Sequence, residues 1–167
     1  VTTVLLNGGL TLGAGARILN YGTGVGGNSN RNAVRVASDG AELYVLTGAE
    51  INVVGTAFVS DGFTSTVTVD GGTVSTAYRF YVSNGAEKTP VLRIRSGIVL
   101  STSTSEPFVH MWDSDLTFDI SGGTVYYGAN SIFVCDRDGV VANGANITGG
   151  TVKKSGKTLI CLPELRK

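Results

Sequence analysis

Gly71-Gly72-Thr73-Val74 is repeated as Gly122-Gly123-Thr124-Val125 and again as Gly149-Gly150-Thr151-Val152. Two degenerate copies, Gly48-Ala49-Glu50-Ile51 and Ser96-Gly97-Ile98-Val99, complete the series. The closing aliphatic residues stand at positions 51, 74, 99, 125 and 152, so each copy follows the last at nearly the same interval. A motif that returns at a nearly fixed period of this size marks a solenoid, in which each repeat is one supersecondary unit stacked on the next.

Just upstream of each copy runs an alternating segment. The set is Leu43-Tyr44-Val45, Val67-Thr68-Val69, Leu92-Arg93-Ile94, Phe118-Asp119-Ile120 and Ala145-Asn146-Ile147, and it keeps the same interval. A third motif is an aromatic or aliphatic pair that leads into a polar turn. It is anchored at Val36, Val59, Val82, Val109, Val134 and Ile160, again at that interval. Three motifs that keep one order and one period predict three short strands per coil and about six coils. Stacked coils lie about 4.8 Å apart, which makes a rod roughly 30 Å long. The expected fold class is therefore all-β, a parallel β-helix. Parallel crossovers of this kind are expected to be right-handed. We read residues 1–167 as one domain, with an irregular first coil and a last coil from about residue 153 to 167. The anchor residues read as one inward-facing column.

The composition agrees. Gly is frequent, at 24 of 167 residues, charged residues make up only 16%, and Pro occurs 3 times. Gly tolerates positive φ at tight turns, and β-branched residues suit strands. No segment keeps a helical apolar period. The formal net charge is zero, which argues against an electrostatic grip on nucleic acid or anionic lipid over the whole surface. The basic tail of Lys153, Lys154, Lys157, Arg166 and Lys167 reads as a solvated end; the alternative is an anion-binding patch. No apolar run reaches the length of a membrane-spanning helix. The chain opens on Val1 rather than Met, which we read as the mark of a processed product or an excised piece. Two segments read as loops: the Gly- and Asn-rich stretch at 22–30 and the Ser- and Thr-rich stretch Ser101–Pro107.

The Gly-Gly-Thr-Val copies, with Phe58-Val59-Ser60-Asp61 and Tyr81-Val82-Ser83-Asn84 beside them, resemble the pectate-lyase-like β-helix superfamily. Within it they are most similar to autotransporter passenger domains and to the repeats of polymorphic outer-membrane proteins. The resemblance covers about Val34 to Leu162. Thr stands where those repeats carry Ala, and Asp61 and Asp136 stand where they carry Asn. It implies an extracellular structural or adhesive role, usually within a longer rod.

Candidate sites follow from residue types. Asp39, Asp61, Asn84 and Asp138 each precede a glycine and could form a ladder at one turn. Asp113, Asp115, Asp136 and Arg137 lie near the same edge in sequence, and Arg79, Arg93 and Arg95 come from neighbouring coils. Asp61, Asp113, Asp136 and Asp138 are thus the acidic candidates for a calcium site, which needs six to eight converging oxygens, or for glycosidic chemistry. The alternative reading is that Asx-Gly pairs are simply what tight turns require. His110 is the only histidine and reads as a strand-face or turn residue. Trp112, with Tyr126 and Tyr127, could stack on a sugar ring; the alternative is packing in the wall. Cys135 and Cys161 are one coil apart in sequence, so their Cα atoms would fall within disulfide range if stacked. The alternative is two reduced thiols in a ladder. No cofactor is expected.

Two functions follow. The first is a non-catalytic extracellular structural or adhesive β-helix that self-associates through its open ends and meets a glycan or host surface. The second is a carbohydrate-active enzyme, a lyase or glycosidase, or a glycan-binding module.

Overall fold

The computed structural model describes residues 2–22, 31–112, 114–128, 131, 133–135 and 145–154. All regular structure in these residues is parallel β-strand. The strands stack in a solenoid of about five turns, with three short strands of a sixth. Among the described residues no helix is long and apolar enough to cross a membrane.

One sheet holds the first strand of each coil: β1 (Val4–Leu6), β4 (Val34–Val36), β7 (Phe58–Asp61), β9 (Tyr81–Asn84), β11 (Val109–Trp112) and β14 (Val134–Cys135). The other wall holds the second and third strands. Its second strands are β2 (Gly9–Leu12), β5 (Ala41–Leu46), β12 (Thr117–Ile120) and β15 (Asn146–Ile147). Its third strands are β3 (Arg17–Asn20), β6 (Glu50–Val53), β13 (Thr124–Tyr127) and β16 (Thr151–Lys154). In the third and fourth coils the two fuse into β8 (Ser65–Thr76) and β10 (Val91–Ser101).

The alternating motif pairs in the register its period implies. Leu43, Val67, Leu92 and Phe118 form one inward column, and Val45, Val69, Ile94, Ile120 and Ile147 form the next. All of these are buried except Ile147, the last described member of its column. The glycine repeat forms the corner after them. Gly71, Gly97, Gly123 and Gly150 all have positive φ, a conformation only glycine adopts readily. They are also stacked against backbone: a Cβ on Gly97 would meet the Gly72 carbonyl oxygen at 2.2 Å, and one on Gly123 would meet that of Gly97 at 2.8 Å.

The first sheet corrects one expectation. The inward column is Val4, Val34, Phe58, Tyr81, Val109 and Val134. Val59 and Val82 instead share the opposite face with Arg35 and His110. The expected column mixed the two faces, and a one-residue slip moves a strand's side chains to the other side of the sheet. The aromatic residues decide the register. Phe58 meets Phe80 edge to face, and Phe80, Phe108 and Phe133 stack along the interior, with successive ring centroids 5.3, 4.9 and 5.3 Å apart. The chain bends just before each strand, so Phe80 and Tyr81, although adjacent, are both fully buried. The coil count is close to the expected six. The first coil begins at Val4, before the first expected anchor, while the last anchor, Ile160, lies outside the described residues.

Serine hydroxyls inside the first sheet find partners. Ser60 Oγ donates to the Phe63 carbonyl at 2.8 Å and lies 2.8 Å from Ser65 Oγ, and Ser83 and Ser114 hydroxyls meet at 2.7 Å. Burial pushes the Tyr81 phenol up to about 12, against the lowering effect of the Ser60 and Ser65 hydroxyls.

Candidate functional site

The outer face of the first sheet carries the site. Strand alternation places Val59, Val82 and His110 in one outward column and Asp61, Asn84 and Trp112 in the next. Neighbours within a column are about 4.8 Å apart, one coil spacing. Val59, Val82, Asp61, Asn84 and Trp112 help shape a groove of about 310 Å³. Its floor is Val59 and Val82, and its far edge is the Asx–Trp column. The near edge comes from the bends before the strands, where Thr56 and Arg79 lie.

Trp112 is 40% exposed, an unusual setting for so large an apolar ring. Its indole Nε1–H donates to His110 Nε2. The two rings meet edge to face with centroids 5.0 Å apart, so the His110 contact fixes the orientation of the indole. Arg79 is held from the other side: its Nε and Nη2 donate to Glu106 Oε2 at 3.0 and 2.5 Å. The Arg79 guanidinium also lies 4.9 Å from the centre of the Tyr78 ring, within cation–π range. Burial, then the hydrogen bond to Glu106, pushes the Tyr78 phenol up to about 12. Asp61 accepts from Arg35 Nη2 at 3.2 Å. The polar rim is thus held by contacts that link one coil to the next.

Of the four acidic candidates, Asp61 is in the groove, and Asp113, Asp136 and Asp138 lie outside the described residues, as does Arg137. No group of three or more His, Cys, Asp or Glu among the described residues could hold a metal ion. The proposed Asx ladder is only partly assembled. Asp61 and Asn84 stack, and the next residue in their column is Trp112. Asp39 stands at a different level: it accepts from the Thr64 amide at 2.7 Å and pairs with Lys88 Nζ at 3.0 Å. Those contacts, the Thr64 amide first, hold its carboxyl below the usual range. The glycines after Asp39, Asp61 and Asn84 all have positive φ, as the turn reading requires.

Trp112 and the two tyrosines lie on different columns of the solenoid. Tyr127 packs inward against Phe108 and Phe133, and Tyr126 lies under Lys153 at 5.9 Å. Arg93 and Arg95 line a separate shallow pocket with Asp119 and Asn146 on the other wall. Cys135 is buried and follows His110 in the outward column; Cys161 is outside the described residues, as are positions 23–30 of the first expected loop.

Sequence reasoning missed the groove floor. The signal was the spacing Val59-x-Asp61, Val82-x-Asn84 and His110-x-Trp112. Alternate positions of a strand face the same side, so each apolar anchor and the polar residue after it share a surface. Glu106 was also missed; it comes from the loop after β10, and its partner Arg79 stands one coil below.

Searches of protein-family models, curated proteins and solved structures find no match to this chain.

Proposed function

We propose that this chain is a non-catalytic structural and adhesive β-solenoid, a segment or subunit of a longer rod that adds further coils end to end. One observation carries the reading. Among the described residues, each strand of the first coil (Val4–Leu6, Gly9–Leu12 and Arg17–Asn20) pairs on one side only. Three parallel edges at one end of a stack offer rows of N–H and C=O groups to another chain.

Exposed apolar side chains gather at the same end. Leu5 is 62% exposed, Leu19 37% and Tyr21 55%. Of the inward side chains of that coil, Leu6, Leu12 and Ile18 are buried and Val4 and Leu10 are partly so. What the end offers is therefore backbone pairing more than an open core. An extracellular setting, and kinship with autotransporter-type β-helices, belong to this proposal and rest on the repeat pattern.

Light scattering coupled to size exclusion tests it. The average mass is expected to rise with protein concentration through multiples of the single chain. The double variant Leu5→Lys, Thr11→Lys, which places charge on two first-coil edges, is expected to stay monomeric with an unchanged circular dichroism spectrum. A wild-type mass that stays at one chain up to about 1 mM, a range that captures weak association, contradicts the proposal.

A further inference from the structure

We propose that the groove on the outer face of the first sheet is a saccharide-binding site, with Trp112 as the platform for one pyranose ring. A sugar ring has an apolar C–H face and a rim of hydroxyls, and the groove presents the complement of both. The exposed indole, held in place by His110, supplies a flat surface at one end. Val59 and Val82 continue that apolar surface along the floor. The rim carries an amide from Asn84, a carboxylate from Asp61 and a guanidinium from Arg79. These are the planar, multidentate groups that read hydroxyls in pairs.

The groups are also preorganised. Arg79 is fixed by Glu106 and Asp61 by Arg35, so little side-chain freedom is lost on binding. The volume of about 310 Å³ lies at the small end of ligand sites, which suits one ring. The groove is open along the solenoid face, so the neighbouring sugars of a chain can extend beyond it. The site binds from the flank of the rod and is separate from end-to-end association.

Trp112 is the only tryptophan in the chain, so indole fluorescence reports this groove alone. Dilute protein, kept below the range of self-association, is titrated with cellohexaose, chitohexaose, maltoheptaose and a galacturonate hexamer. At least one is expected to shift or quench the emission in a saturable manner, with a Kd below about 10 mM. Calorimetry with that same oligosaccharide then reads the variants. Trp112→Ala is expected to weaken binding by about tenfold or more; Trp112→Phe keeps most of it, since the platform remains. Asn84→Ala loses several-fold, about the value of one hydrogen bond. No response to any of the four sugars overturns the proposal. So does a Trp112→Ala variant that folds normally and binds as tightly as the parent.

Discussion

The solenoid turns one corner on glycine and another on phenylalanine, and the two corners obey different physics. At the glycine corner, Gly71, Gly97, Gly123 and Gly150 hold positive φ while backbone and side-chain atoms of the neighbouring coil close in on them. The limit there is backbone geometry, and a single added carbon collides. At the phenylalanine corner the chain bends so that ring stacks upon ring, from Phe80 through Phe108 to Phe133, with Phe58 edge-on to Phe80. The limit there is volume, which a smaller side chain violates by leaving a cavity. The same repeat therefore carries one corner that tolerates no side chain and one that must be filled.

Substitutions separate the two. Gly97→Val forces both a disfavoured φ and an overlap with Gly72, and is expected to cost about 4 kcal/mol or more, enough to unfold a marginal domain. Gly13→Ala is the control. No atom lies within 4 Å of the added carbon, so the stability change should stay within about 0.5 kcal/mol. Urea denaturation measures both; equal effects would remove the steric limit at the glycine corner. Phe108→Ala empties the middle of the ring stack and should cost about 3–5 kcal/mol, with the unfolding midpoint falling accordingly.

Alkali probes the interior beside that stack. The folded state keeps the Tyr81 phenol neutral up to about pH 12, against an ordinary value of 10.0. Its contribution is complete below pH 10 and is lost as pH rises from 10 toward 12, because the unfolded chain then releases the proton first. The loss should reach about 2–3 kcal/mol. Midpoints compared at pH 8, 10 and 12 should fall less steeply in Tyr81→Phe than in the parent; an identical decline in both removes Tyr81 from the account. Val82→Thr should have a small effect, below about 1 kcal/mol, since it adds a hydroxyl on the groove side of the sheet.

The glycine wall was legible because its signals reinforce one another. Leu43-Tyr44-Val45 and its relatives alternate apolar and polar residues, so period two has a single solution, and each Gly pair marks the corner that follows. The first sheet was less legible. Phe58-Val59, Tyr81-Val82 and Val109-His110 present apolar or aromatic residues on consecutive positions, and alternation alone does not say which one enters the core. Ring volume decides: Phe58 and Tyr81 fill the interior, and the smaller valines are left to floor the groove. Trp112 was legible as a candidate by type, yet its neighbours in space are His110 and Asn84, set by register, rather than the tyrosines at 126 and 127. Asp39 looked equivalent to Asp61 in sequence, but it caps the Thr64 turn and pairs with Lys88, two coils away from its own.

The orientation of the first sheet underlies the groove, and thiol labelling tests it most directly. In a background of Cys135→Ser and Cys161→Ser, single cysteines are placed by Val82→Cys and Val109→Cys. Both positions carry the same residue in the same repeat motif, yet the structure puts Val82 on the outer face and Val109 fully inside. In the native protein, Val82→Cys should react with a maleimide about a hundredfold faster than Val109→Cys, whose labelling must await local opening. Equal protection of the two thiols would place both valines in one interior column and contradict the register on which the groove depends.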